Sequence, residues 1–214
     1  ILDDKDVMRA LVSASDRAVG ENVIDMRGMA MDRLEHRLDQ LEDTHRTVIA
    51  AAYENLAGTN QVQRAVLRML EPTDFVEFIK VLCGDVGHIL RVDRARLILE
   101  SHTEAAQMPQ AGLDGVLMIG EPGFVDDYVT HGRNIPARQV TLREVHAEEG
   151  GLYGTRPGLI RSEALLRLDL GDQRLPAMFA MGSVDPELFT PSHGTDLLTF
   201  FADALERVMQ RWLA

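Results

Sequence analysis

Stepping along the chain in alternate threes and fours from Ile24 gathers Arg27, Met31, Leu34, Leu38, Leu41, His45, Val48, Ala52, Asn55, Thr59, Val62, Val66 and Met69 on one seam. Apolar residues dominate it, and the lapses at Arg27, His45, Asn55 and Thr59 make an imperfect heptad rather than an ideal zipper. The pattern predicts one long, coiled-coil-like helix from about Val23 to Leu70. A domain of this size cannot cover such a helix from end to end, so the seam needs a partner, most simply the same helix of a second chain. Gly58 and Thr59 mark the expected kink or break. Ahead of this helix, Val7, Leu11, Ala14 and Ala18 have helical spacing up to Gly20 and predict a short separate helix over residues 3–19.

Pro72 stops the long pattern, and Thr73 or Asp74 can cap the next helix, "DFVEFIKVLCGDVGHIL". Its stripe of Phe75, Ile79, Leu82, Val86, Ile89 and Leu90 predicts a helix lying on a sheet. The period then changes. "RARLILES" (94–101) and "GVLMIG" (115–120) read as strands, "EPGFVDDYVTHG" returns to helical spacing, and "RQVTLREV" (138–145) is strand-like again. A glycine-rich loop, "EEGGLYGTRPG", precedes two apolar strands over 160–170 and 175–184, joined by a hairpin loop centred on Gly171. The last helix, from about Thr195 to Leu213, carries Leu197, Leu198, Phe201, Leu205, Val208, Met209 and Trp212 on one face. That face can cover a sheet and bundle with the long helix. The order of elements predicts an α+β fold, a mostly antiparallel sheet flanked by helices. Residues 1–71 read as a helical dimerisation region and residues 72–214 as the domain behind it.

Composition narrows the partners. Acidic residues outnumber basic ones by 34 to 22, a formal net charge of −12, and the arginines are scattered, so direct binding to nucleic acid or anionic lipid is not expected. The first twenty residues hold Asp3, Asp4, Lys5, Asp6, Arg9, Asp16 and Arg17 and do not resemble a signal peptide, and no run of eighteen apolar residues occurs. The single cysteine, Cys83, suits a reducing compartment, so a cytoplasmic location is expected. No His-x-x-x-His or Cys-x-x-Cys spacing is present, and no metal site is expected. The glycine-rich loop lacks both the Walker pattern and the dinucleotide fingerprint and reads as a flexible connection that could act as a lid. Ser183 follows Gly182 outside the Gly-x-Ser-x-Gly elbow of hydrolases, so "AMGSVDPELFTPSHGTDLL" reads as the joint between the last strand and the last helix.

The closing stretch, "SEALLRLDLGDQRLPAMFAMGS" followed by "ELFTP" and the amphipathic helix, resembles the GAF domain, a cytosolic small-molecule sensor and dimerisation module. The chain more closely resembles the bacterial family catalogued as domain of unknown function 484, through "NVIDMRGMAMDRLEHRL", "THRTVIAAAYENLAGTNQVQRAVL", "GEPGFVDDYV", "LYG" and "MGSVDPELFTP". That resemblance implies a coiled-coil helix feeding a GAF-like domain and assigns no activity. The sequence departs from the better understood GAF branches. One cysteine cannot resolve a sulfenic acid as methionine-sulfoxide reductases of this fold do, and the Asn-Lys-x-Asp-Glu pattern of cyclic-nucleotide binders is missing.

Arg143, Tyr153, Arg161 and Ser162 surround the segment where GAF-like folds enclose a ligand, and are the candidate polar pocket groups; the alternative is that they are surface strand residues. Cys83 reads as a small core residue and His45 as a tolerated polar break in the seam. Met31, Leu34, Leu38, Leu41 and Val48 on the long helix, with Leu205, Met209 and Trp212 on the last, are the candidate dimer interface. The expected function is a non-enzymatic homodimeric sensor with an unidentified ligand and no assigned cofactor. The alternative is a structural adaptor with a filled pocket that recruits a protein through its N-terminal helices.

Overall fold

The structure is a computed structural model that describes residues 26–102, 112–113, 115–146, 150–154, 159–171 and 174–213. The expected helix over residues 3–19 lies outside them. The chain divides into two compact units, residues up to Glu54 and residues from Asn55 onward. Helix α1 (Met26–Met69) supplies the described part of the first unit and the opening of the second.

In the first unit every side chain from Met31 to Glu54 is exposed. Polar positions are held by short-range pairs, Arg46 with Glu42 at 3.3 Å and with Asp43 at 3.5 Å. Met31, Leu34, Leu38, Leu41 and Val48 are between 57% and 70% exposed, so among the described residues of its unit the predicted seam has no partner.

The second unit begins with the last turns of α1, which run through Gly58 and Thr59 without a break. The helix is therefore not broken there. A Cβ on Gly58 would lie 3.2 Å from Leu197 Cδ1, so the glycine serves close packing against the last helix rather than bending. Asp74 caps α2 (Phe75–Val81) by accepting from Glu77 N, and the helix continues through a π-helical turn (Leu82–Val86) and a final α turn (Gly87–Ile89). The remaining elements are β1 (Arg94–Glu100), β2 (Leu117–Gly120), α3 (Phe124–Thr130), β3 (Val140–Glu144), a 3-10 turn (Gly150–Tyr153), β4 (Ser162–Leu168), β5 (Ala177–Ser183) and α4 (Asp196–Leu213). The five strands form one sheet in the order β2-β1-β5-β4-β3. Three of its ladders are antiparallel, but β1 and β2 run parallel, pairing Leu97 with Leu117 and Glu100 with Gly120. The sheet is mostly antiparallel, as the sequence predicted, with the β1–β2 pair as its one parallel ladder. Alternation fixes which face a residue occupies, not the direction of its neighbour, and the connection over residues 101–116 exceeds the roughly dozen residues a parallel crossover requires.

Strand period two sorts the sheet into two faces. Leu97, Ala164, Leu166, Leu168, Phe179 and Met181 face the larger core with Val62, Ala65 and Met69 of α1, Phe78, Ile79 and Leu82 of the α2 region, and Phe201, Leu205 and Met209 of α4. Ile98, Leu165, Met178 and Ala180 face the other way, under Val125 and Val129 of α3 and Leu152 of the 3-10 turn. The strands β4 and β5 are buried on both faces, which explains their near-continuous apolar sequences.

Candidate functional site

A charged residue stands among these apolar positions. Glu163 shares the α3-facing side of β4 with Leu165, paired across to Arg143 on β3 and Gly182 on β5. Its side chain is 1% exposed and that of Arg143 is 12% exposed. A carboxylate buried to this extent needs partners on both oxygens. Arg143 Nε donates to Oε1 at 2.6 Å, and the hydroxyls of Tyr153 and Tyr128 donate to Oε2 at 2.8 Å and 3.2 Å. Arg143 Nη1 donates to the Tyr128 carbonyl at 3.0 Å and to His131 Nε2, and the guanidinium lies 4.8 Å from the Tyr128 ring centroid. Burial first, then the neighbouring Glu163 charge, pushes both tyrosine hydroxyls above their ordinary value, so they serve as neutral donors. Among the described residues no buried side-chain nitrogen or oxygen lacks a partner.

Local backbone chemistry holds this group in place. A Cβ at Gly182 would come within 3.0 Å of Tyr153 Cε1 and Cζ and 2.9 Å of Ile160 Cγ2, so only glycine lets the Tyr153 ring lie on the sheet above Glu163. The start of α3 is fixed by Glu100, whose carboxylate accepts from Gly123 N at 2.9 Å and Val125 N at 2.8 Å. Arg167 ties the middle of α3 to β4 through Asp126 at 2.6 Å. Arg96 of β1 donates to the carbonyls of Gly115 at 2.8 Å and Leu152 at 2.6 Å, joining the entry to β2 to the 3-10 turn.

Beside the network lies an open cleft of about 690 Å³ between β2 and α3. Met118, Ile119, Gly120 and Pro122 line one side, and Phe124, Asp127, Tyr128, His131 and Arg143 the other, with Glu121 at the bend. Phe124 and Tyr128 stack at 5.8 Å between ring centroids. Apolar walls, two rings and a few polar groups in a concavity of this volume are what a small-molecule site requires.

Of the four predicted pocket residues, Arg143 lines the cleft and Tyr153 joins it through Glu163. The other two stand elsewhere. Arg161 is exposed ahead of β4, and Ser162 faces away from α3 and donates to the Asp185 carbonyl at 2.5 Å. Ser183 donates to Asp93 Oδ2 at 3.1 Å, which also accepts from Val184 N at 2.9 Å, so the Gly182-Ser183 signature closes a turn. Sequence reasoning missed Glu163, Tyr128, Phe124 and His131. The available signals were an acidic residue inside an apolar strand and two rings four positions apart on a short helix.

The predicted interface residues also separate. Leu205 and Met209 are completely buried in the larger core, and Trp212 packs against Phe78 and Phe75 at 6.0 Å and 6.4 Å. Cys83, half-buried in the π-helical turn, donates to the Val116 carbonyl at 3.5 Å, and burial pushes its thiol up to about 12.

A family model matches residues 15–214. The chain belongs to the family described as protein of unknown function, DUF484. As a DUF484 member it is matched across both units, the cleft and the exposed seam alike. No curated protein matches it. Among the described residues no helix is long and apolar enough to cross a membrane.

Proposed function

We propose that this DUF484 protein is a non-enzymatic small-molecule sensor that acts as a homodimer in the cytoplasm. The cleft between β2 and α3 carries the reading: it has ligand-sized volume and two aromatic rings, and its inner wall is braced by a fully bonded charge network. A braced wall keeps its shape before a ligand arrives and lowers the ordering cost of binding. The non-catalytic part is supported by the state of the available groups. Both Glu163 oxygens accept hydrogen bonds, the tyrosine hydroxyls are held neutral, and the Cys83 thiol is far from its reactive form. The dimer is supported by the seam of exposed Met31, Leu34, Leu38, Leu41 and Val48.

Mass spectrometry of molecules released from protein purified from its own host tests the ligand. A single compound at about one per chain supports sensing; its absence counts against it. The second reading, a structural adaptor, is favoured by one observation: Tyr153 and Leu152 already cover the sheet beside Glu163. An empty release experiment together with an intact dimer would favour the adaptor.

A further inference from the structure

We infer that the cleft takes an organic cation, an ammonium group on an apolar or aromatic body. This rests on the proposal that the cleft binds a small molecule, and adds the class. Two features beside the cleft suit an anion, and the protein's own carboxylates already occupy both. Arg143 is held by Glu163 at 2.6 Å, and the leading N–H groups of α3 donate to Glu100. His131 is also taken, since its Nε2 is engaged by Arg143 Nη1. The charges left over are the carboxylates of Glu121 and Asp127. Both residues line the cleft, both are exposed, and neither is paired with a cation among the described residues. An anionic ligand would meet two like charges, with no unpaired lysine or arginine among the described lining residues to offset them. A neutral ligand would gain at most a hydrogen bond from them, without the charge attraction.

The remaining walls suit the rest of such a molecule. Met118, Ile119 and Pro122 offer apolar surface, and half-exposed Phe124 extends the ring pair. Arg143 over the Tyr128 ring shows that this pair already carries one cation on its face. An ammonium beside Phe124 would use the same attraction and add the Coulomb pull of Glu121 and Asp127.

Phenethylammonium, 2-phenylethanol and 3-phenylpropionate share one body and differ in charge. Titrated calorimetrically into the full chain, the ammonium should saturate at one per chain and weaken as salt rises, with the other two bound at least about tenfold more weakly. Asp127→Asn and Glu121→Gln should each weaken it by about threefold, the size of an exposed ion pair, without moving the unfolding midpoint. Asp39→Asn with Glu42→Gln, on the first unit, should leave it unchanged. Equal or tighter binding of the alcohol or the carboxylate overturns the cation class while leaving a ligand-binding cleft. Binding by none of the three also overturns it, and only an empty release experiment would carry that failure over to the cleft itself.

Discussion

At the scale of single residues, Glu163 is the position where the fold is most exposed to damage. Its charge is buried, and Arg143 opposite is almost as buried, so removing either partner strands the other. Glu163→Gln keeps the side-chain length but leaves the Arg143 guanidinium without its counter-charge. A loss of about 3 kcal/mol in urea denaturation is expected, less than the upper range for such pairs because the amide still accepts from one tyrosine. Replacing both, Glu163→Met with Arg143→Met, should recover most of it; a double variant as unstable as the single would sink the ion-pair account. Cys83 makes a second residue-scale case with the opposite character. Its thiol rises from 9.0 to about 12 in the folded chain, so the folded state holds the proton more tightly than the unfolded one. The stability this contributes is fully present below pH 9.0 and is lost as pH rises toward about 12. Wild type should therefore lose more stability than Cys83→Ala between pH 8 and pH 10.5. A thiol reagent at pH 8 should label the native protein slowly, at a rate that rises with urea.

At the scale of elements, the two informative glycines differ in what a methyl group would meet. Gly58 sits inside α1, where alanine gains about 1 kcal/mol of helix propensity and the obstacle is the flexible end of Leu197 at 3.2 Å. Gly58→Ala should raise stability by about 0.5 kcal/mol. Gly182 meets a ring and a branched side chain at 2.9 to 3.0 Å, neither of which can swing aside, and Gly182→Ala should cost about 2 kcal/mol and disturb Tyr153 fluorescence. Thermal and urea unfolding of the pair checks the opposite signs. These elements also show what the sequence could and could not reveal. The stripe Phe201, Leu205, Met209 was legible because helical period three-point-six survives any tertiary context, and so were the bounds of all five strands, within a few residues. The parallel β1–β2 pair was not, since direction is set by the connection rather than the strand. Glu163 escaped notice because its meaning lies in Arg143, Tyr128 and Tyr153, which are 20, 35 and 10 residues away along the chain. The packing role of Gly58 was hidden for the same reason: the residue it accommodates, Leu197, is remote in sequence.

At the scale of the whole molecule, the seam and the net charge act against each other. Pairing two α1 seams would bury five large apolar side chains per chain that now stand 57% to 70% exposed, a strong drive at roughly 1.5 kcal/mol or more for each one fully covered. It would also bring together two chains of formal charge −12, whose repulsion is long-ranged at low salt. The dimer should therefore tighten as sodium chloride is raised from about 0.05 to 0.5 M, the reverse of an assembly held by ion pairs. Sedimentation equilibrium across that range gives the sign. Leu34→Lys with Leu41→Lys places charges on the seam itself and should yield a monomer at every salt concentration. Because Val62, Ala65 and Met69 belong to the second unit's core, the matching deletion must stop at residue 54. A chain starting at Asn55 should be monomeric yet keep a cooperative unfolding transition, whereas one starting at Glu71 should lose that transition along with the dimer. If the chain starting at Asn55 still dimerised, the seam would be the wrong surface, and the homodimer would have to rest on the second unit.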